Sequence, residues 1–521
     1  MAAEKYPIGI QTFSEIINGG FTYVDKTLFI PKLLNHSKYY FLSRPRRFGK
    51  SLFLSTLHAF FDGKRDLFKG LYVDKADLDW NPSPVLHFDL NSENFLDEDG
   101  LPHLLNRLLE DYERQYSISI KSDSISGRFA RLIREAFERT GRKVVILVDE
   151  YDKPLLEIED RKELFEKNQA ILKGFFGNLK SMDSYIRFAF LTGVARFNKV
   201  SIFSDLNNIN DISLNNDFAD ICGWTEHELT SNFEGSINDL SVRLCESYES
   251  TVGSLRYYYD GYRFSEEGSR LYNPYSVMLA LSERRIEAFW FETGTPTFLA
   301  RRVKESGIVL PDFDHQYSDR EDLLEAGFDT GSPIGLMFQT GYLTIDYYDP
   351  RLRMYKLRFP NHEVEIGFAR RLMPLYIPKG ELSSFPFSLL NFKLNLVKGE
   401  PEEFMERLKS LLKSLPYESQ NEDNYRNIVW LLCTLCDTDT LAERHSYRGR
   451  SDLEVKTTEY IYIFEFKYDR NETEAMEQIH NRDYAGQYRA DNRKVFLIGA
   501  NFSSREADRG LTGWEIEELC R

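Results

Sequence analysis

Phe41-Leu42-Ser43-Arg44-Pro45-Arg46-Arg47-Phe48-Gly49-Lys50-Ser51 joins an aromatic, apolar run over 38–42 to a segment, 51–61, in which Leu52, Leu54, Leu57, Phe60 and Phe61 recur at helical spacing. The stretch predicts a buried strand that hands over to a helix at Gly49-Lys50-Ser51. Free main-chain N–H groups at a helix N-terminus, aided by the helix dipole, bind anions. In that setting Gly49 lets the backbone approach a phosphate, Lys50 reaches the β- and γ-phosphates of a nucleotide, and the Ser51 hydroxyl is a ligand for Mg²⁺. The pattern departs from G-x-x-x-x-G-K-[ST] at its first position, where Arg44 stands in place of glycine. Arg44, Arg46 and Arg47, with Phe48 beside the glycine, either add positive charge around the same phosphates or are solvated cations.

A second motif decides between an anion site and a chance triplet. Val144-Val145-Ile146-Leu147-Val148-Asp149-Glu150 is an unbroken apolar, β-branched run, as in a strand buried on both faces of a parallel sheet, and it ends in two carboxylates. Asp149 is placed to hold Mg²⁺ through water and Glu150 to polarise an attacking water. A buried strand that merely stops at an acidic turn has the same appearance. Both motifs, in this order, point to nucleoside triphosphate binding, with ATP as the cofactor.

The intervening chain supplies the rest of such a sheet. Pro84-Val85-Leu86-His87-Phe88-Asp89-Leu90 reads as a strand, and helices are expected over 101–116, 127–140 and 161–180. Ile186-Arg187-Phe188-Ala189-Phe190-Leu191-Thr192-Gly193 is a further buried strand. Its carboxyl end falls where open α/β sheets bind ligands, so Thr192 is the natural sensor. Arg196 and Lys199 follow it, either as charge-stabilising fingers or as solvated loop cations. Strands alternating with helices predict a parallel sheet covered on both faces, and the strand between the two motifs, with Glu150 beside Asp149, predicts the additional-strand class of P-loop ATPases.

Composition bounds what else the chain can do. Its 521 residues suffice for two to four domains, and 42% hydrophobic with 14% aromatic residues describe a globular protein. No apolar run reaches the roughly 20 residues that span a bilayer, and the first residues lack a signal-peptide pattern, so a cytoplasmic protein without membrane attachment is expected. A net charge of −16 argues against general affinity for nucleic acid, which leaves only a local patch for such binding. Five cysteines are too scattered for a disulfide framework, and Cys433-Thr434-Leu435-Cys436 lies in an apolar helical run without a second pair to complete a zinc site.

Near the C-terminus, Arg448-Gly449-Arg450-Ser451-Asp452-Leu453-Glu454-Val455-Lys456 and Tyr460-Ile461-Tyr462-Ile463-Phe464-Glu465-Phe466-Lys467 alternate around the polar link Thr457-Thr458-Glu459, which predicts a β-hairpin. A turn centred between Thr458 and Glu459 sets Asp452 opposite Glu465 on one sheet face, with Lys467 two residues further on. Leu453, Val455, Tyr462, Phe464 and Phe466 then share the other face. Asp452 and Glu465 would hold Mg²⁺, and Lys467 would orient a nucleophile or stabilise developing negative charge, a set suited to phosphodiester hydrolysis. A surface ladder of salt bridges would show the same spacing.

R-P-R-R-F-G-K-S, V-D-E-Y-D-K-P, L-T-G-V-A-R-F-N-K-V-S-I-F-S, Y-D-G-Y-R-F (259–264) and Y-N-P-Y-S (272–276) together resemble the AAA-ATPase-like family of bacterial proteins with a C-terminal PD-(D/E)xK nuclease-superfamily domain. The resemblance extends over nearly the whole chain. It implies that the arginine-rich cradle, Arg44 included, replaces the first glycine; that Asn273-Pro274 belongs to the lid, with Pro274 against the adenine; and that Phe291-Glu292-Thr293-Gly294 and Phe338-Gln339-Thr340-Gly341-Tyr342-Leu343 continue through a helical and winged-helix-like region. It also implies that Glu422 is an extra acidic metal ligand and that Gln478 and Tyr484 assist the hairpin. The expected organisation is an AAA-like P-loop ATPase core over 1–225, a helical lid and winged-helix-like region over 226–380, and a restriction-endonuclease-like α/β domain over 385–521. The expected activity is ATP hydrolysis coupled to Mg²⁺-dependent cleavage of nucleic acid, DNA in the first place, with homo-oligomerisation left open. The alternative is a nucleotide-dependent switch whose nuclease-like domain only docks a partner.

Overall fold

The computed structural model describes residues 5–119, 123–196, 208–290, 297–324, 332–377, 385–415, 421–436, 439–442, 445–446, 449–503, 505 and 509–519. Lys199, Arg448, Phe291-Glu292-Thr293-Gly294 and the second half of the motif over 191–204 lie outside the described residues. Two compact units divide the chain: Met1–Trp290 with Ser318–Tyr355, and Phe291–Tyr317 with Lys356–Arg521.

The first unit is built on a five-stranded parallel sheet of β1 (Tyr39–Ser43), β2 (Val85–Asp89), β3 (Val144–Asp149), β4 (Ile186–Gly193) and β5 (Asn210–Asp211), in the order β2-β3-β4-β1-β5. The strand inserted between the two motif strands is β4, while β2, which lies between them in sequence, forms the edge beyond β3. All residues of β1 and β3 are buried because helices cover both faces of the sheet. On one face helix Lys50–Phe61 sets Phe53 against Phe190 and Phe61 against Phe188. On the other, Phe129 of helix Ile125–Thr140 stacks on Phe175 of helix Lys162–Phe176, and both meet Phe88.

The expected helical region after 226 is three helices, Glu226–Asn232, Glu234–Leu244 and Tyr248–Tyr259, followed by Pro274–Glu283. Thr225 and Glu228 form a reciprocal capping box at the first of these, which fixes where it starts. Leu229, Phe233, Ile237, Leu255, Tyr259 and Val277 bury their apolar faces in one core.

The second unit holds a five-stranded mixed sheet in the order Gly510–Glu518, Lys494–Ser503, Tyr460–Tyr468, Leu453–Lys456, Asp439–Ala442. Only the pair Tyr460–Tyr468 with Lys494–Ser503 is parallel, and the crossover between them carries helix Glu472–Arg482. That helix places Met476 and Ile479 over Ile461, Ile463, Val495 and Leu497, so the face that carries Glu465 is itself covered beyond the carboxylates. On the opposite face Phe404 meets Phe464, Tyr462 stacks on Phe496, and the Tyr462 hydroxyl donates to the Leu396 carbonyl at 2.6 Å. No helix among the described residues is long and apolar enough to cross a membrane.

Candidate functional site

The cradle leaves β1 at Ser43 and enters helix Lys50–Phe61 through two residues in the left-handed region, Arg47 at φ 68° and Gly49 at φ 96°. A Cβ built on Gly49 meets nothing within 4 Å, so space lies open over the amides that begin the helix. Lys50 is buried and donates to the carbonyls of Arg44 (3.0 Å) and Pro45 (3.2 Å), wrapping the loop around its own ammonium.

Arg44 is neither solvated nor turned toward that open space. Its guanidinium is 1% exposed and donates to the carbonyls of Ser43, Ser213, Phe218 and Ala219, while stacking on Phe264 at 4.3 Å. Burial lowers its pKa to about 10, which leaves it charged at neutral pH. A glycine there would leave those carbonyls unpaired, so the arginine shapes the loop from behind. Phe48 is equally internal, set edge-on to Tyr262 and Phe264, with its carbonyl accepting from Gly223 N–H. Arg46 is half-buried and accepts the Trp290 indole N–H on its carbonyl at 3.4 Å. Exposed Arg47 lies over the Tyr275 ring at 4.8 Å. Pro274 is the buried first residue of helix Pro274–Glu283, whose cap is the Asn273 side-chain oxygen Oδ1, accepting from Tyr275 N–H and Ser276 N–H.

At the ends of β3 and β4 the predicted acids and sensor meet. The Thr192 hydroxyl donates to Asp149 Oδ1 at 2.6 Å, and the Glu150 N–H donates to the same oxygen at 3.1 Å. Glu150 turns the chain at φ 52° and stays half-buried, while Ser51 is likewise half-buried at the start of its helix. Arg196 is committed elsewhere: its guanidinium pairs with Asp211 at 2.7 Å, and its N–H donates to the buried Gln339 side chain at 2.6 Å.

Asp152 escaped the sequence reading. It is fully buried, accepts Val194 N–H at 2.8 Å and Ala195 N–H at 2.6 Å on Oδ2, and leaves Oδ1 without a partner. Burial, then the charge of Glu150, pushes its carboxyl well above the ordinary aspartate range, and Lys50 pulls it back. A Cβ on Gly193 would stand 2.6 Å from Asp152 Oδ1 and 2.7 Å from the Tyr151 ring, which explains a glycine at the end of β4. The F-Q-T-G-Y-L stretch also acquires a role: Gln339 holds Arg196, and Gly341, at φ 90°, leaves room for Pro45 of the cradle.

In the second unit the hairpin register pairs Leu453 with Phe464 and Lys456 with Ile461, which sets Asp452 opposite Glu465, as the alternation requires. Asp452 Oδ2 accepts Phe466 N–H at 2.8 Å. Glu465 is 2% exposed; its Oε1 accepts Lys467 Nζ at 2.8 Å, and its Oε2 has no partner. Burial and then the charge of Asp452 raise its pKa well above the usual carboxylate range, against the pull of Lys467 and Arg426. Lys467 Nζ also donates to Gln478 Oε1 at 2.7 Å, and the Gln478 amide donates to the Tyr484 hydroxyl at 3.1 Å.

Glu422 stands apart from this set. It occupies the exposed first turn of helix Glu422–Leu435, and no group of three or more Asp, Glu, His or Cys side chains able to hold a metal occurs among the described residues. The charge that this helix brings within reach of Glu465 is that of Arg426, one turn further along. A third buried acid on the strand, Glu454, is occupied by the Tyr488 hydroxyl, Gln487 and Ser451. Cys433 and Cys436 are buried free thiols.

A family model described as a predicted AAA-ATPase matches residues 7–203, and a model of the PD-(D/E)XK nuclease superfamily matches residues 420–510. Over its full length the chain is 34% identical to a protein of Azotobacter chroococcum mcd 1 described as an uncharacterized protein in the vnfD 5′ region, with 100% of both chains covered.

Proposed function

We propose, from the premise that the chain belongs to the family joining a predicted AAA-ATPase domain to a PD-(D/E)XK nuclease-superfamily domain, that it hydrolyses ATP in its first unit and cleaves nucleic-acid phosphodiesters in its second. The functional division is an ATPase core over 1–225, a lid and winged-helix-like region over 226–380 and a nuclease-like domain over 385–521, in a cytoplasmic protein. The observation that carries the nuclease reading is Glu465 Oε2, a buried carboxylate oxygen without a donor beside a second carboxylate and a held lysine. Such an oxygen is costly unless a cation takes it.

Asp452 and Glu465 would hold Mg²⁺ there, and Ser51 with Asp149 would do so at the nucleotide. Bound Mg²⁺ supplies Lewis-acid polarisation of phosphoryl oxygens. Lys467, fixed between Glu465 and Gln478, presents its ammonium to the negative charge that grows on the phosphate. In the first unit, the amides from Gly49 to Ser51 and the Lys50 ammonium receive the phosphates, Lys50 exchanging two neutral carbonyls for an anion. Thr192 keeps Asp149 oriented while Glu150 accepts a proton from the attacking water. Arg44 and Phe48 hold the loop in shape, Arg46 and Arg47 contribute charge at its rim, Pro274 starts the helix beside it, and Arg196 acts only on leaving Asp211.

The full-length protein, incubated with Mg²⁺, ATP and plasmid or single-stranded DNA, is expected to release phosphate and to nick or degrade the DNA, each activity lost on Lys50→Ala and Glu465→Gln respectively. No cleavage under any nucleotide condition would overturn the nuclease half. A carboxylate pair without a third acid among the described residues favours, as the second reading, a nucleotide switch whose second unit docks a partner. Under that reading Asp452→Ala leaves Mn²⁺ affinity unchanged.

A further inference from the structure

Beside the carboxylates lies a cleft of about 520 Å³ whose chemistry does not follow the −16 charge of the chain. Five cations line it, Lys409, Lys413, Arg470, Arg505 and Arg509, against two carboxylates, Asp469 and Glu472. The acids are partly spoken for: Asp469 accepts from the Ser503 hydroxyl at 3.2 Å, and Glu472 packs against Gly513. Lys413 and Arg505 are exposed, and neither side chain has a hydrogen bond or ion pair among the described residues. Lys409 lies over the Trp514 ring at 5.1 Å, and the Arg470 guanidinium makes an exposed 3.5 Å contact with Glu474.

Topology sets this cleft next to the carboxylate site. Asp469 and Arg470 directly follow strand Tyr460–Tyr468, and Asp469 is two residues, roughly 7 Å of extended chain, beyond Lys467. Asn501, another lining residue, is the register partner of Lys467 in the neighbouring parallel strand, so the two share a sheet face. The cations therefore begin where the lysine of the proposed catalytic set ends.

We infer that this cleft is the binding track for the sugar–phosphate backbone of the polynucleotide, Lys413 and Arg505 each contacting a phosphate next to the one cleaved at Asp452, Glu465 and Lys467. The inference rests on the nuclease reading of that set and names how its substrate is held. Lysine and arginine side chains without partners suit phosphate oxygens and carry no base information, so binding is independent of sequence.

The test uses the full-length chain carrying Glu465→Gln, so that substrate survives, and a fluorescein-labelled strand of about 20 nucleotides as DNA, as RNA and as duplex DNA, with anisotropy read across a salt series. Adding Lys413→Glu and Arg505→Glu is expected to weaken binding at least 10-fold and to flatten the log–log salt slope by about 1.4 for a single strand, two phosphates at about 0.7 each. Both positions are exposed, so the melting temperature should not move. Lys413→Arg with Arg505→Lys should keep the parent slope. The DNA, RNA and duplex arms rank the polymers. Unchanged affinity and slope in the reversed variant, no binding of any of the three by the parent, or binding of polyglutamate as tight as of the oligonucleotides would each overturn the inference. Cleft-dependent binding without cleavage by the unmutated chain in Mg²⁺ would sink the nuclease reading and leave the cleft standing; cleavage by a chain indifferent to the reversal would do the opposite.

Discussion

The two candidate sites hold their lysines in opposite company. Lys50 rests on the neutral carbonyls of Arg44 and Pro45, whereas Lys467 rests on the Glu465 carboxylate and the Gln478 amide. An anion entering the first site trades two neutral acceptors for a charged one, which favours capture. An anion entering the second meets two carboxylates first, so under the proposed reading that site takes a cation before a phosphate. The acids differ in the same sense. Asp149 Oδ1 already holds the Thr192 hydroxyl and the Glu150 N–H, whereas Glu465 Oε2 is buried with nothing to accept.

Removing each cation-bearing or cation-seeking group separately should separate the two activities most widely. Lys50→Ala is expected to lower ATP hydrolysis on the order of 100- to 1,000-fold. DNA cleavage measured without ATP should keep its rate, and an equal fall in both would show that the two sites are not separable. Glu465→Gln should lower cleavage by at least about 100-fold while phosphate release from ATP is unchanged. The same variant should raise the melting temperature at pH 8 without divalent metal by about 2 °C, because the repulsion between Glu465 and Asp452 and the desolvation of an oxygen without a donor, Oε2, are removed and outweigh the weakened contact to Lys467. Mg²⁺ should stabilise the parent and not the variant. Asp149→Asn, whose oxygen keeps both donors, should show no such rise.

Gly193→Ala acts on the first site alone, through the backbone. The added methyl meets Asp152 and Tyr151 well inside contact distance, so about 1–3 kcal/mol of stability should be lost and ATP hydrolysis should fall with it. Thermal melts followed beside both activities check this, and cleavage should persist at temperatures below the transition.

How much of this was legible in the sequence depends on how far apart the partners lie along it. The strand, loop and helix over 39–61 and the Asp452–Glu465 pairing are local patterns, and an alternation of period two fixes which residues share a face once the turn is placed. Arg44 was beyond such reasoning, because the carbonyls at 213, 218 and 219 reach it only through the chain that follows β5. Asp152 was hidden for the same reason: its meaning lies in the amides of Val194 and Ala195, brought over by β4. Glu422, a ligand only by family resemblance, sits in an exposed first turn, and the charge that its helix brings to Glu465 is that of Arg426, one turn on, which no local spacing announces.

The smallest effect expected is the one that distinguishes how the two lysines are held. Main-chain carbonyls hold Lys50, and no side-chain substitution removes them, but Gln478 can be deleted. Its carbonyl oxygen faces Lys467 because its amide donates to Tyr484 at 3.1 Å, which fixes the orientation of the amide. Gln478→Ala leaves Lys467 with Glu465 alone and free to swing, so the single-turnover cleavage rate should fall about 10-fold, in line with the loss of a supporting residue around a metal site. Oligonucleotide affinity and ATP hydrolysis should stay unchanged, since neither the basic cleft nor the first unit touches this bond. Tyr484→Phe removes only the acceptor that orients the amide, so its effect should be smaller and in the same direction. A Gln478→Ala variant that cleaves at the parent rate would mean that Glu465 alone positions the lysine, and that the second site, like the first, needs no side chain beyond its own strand to hold its cation.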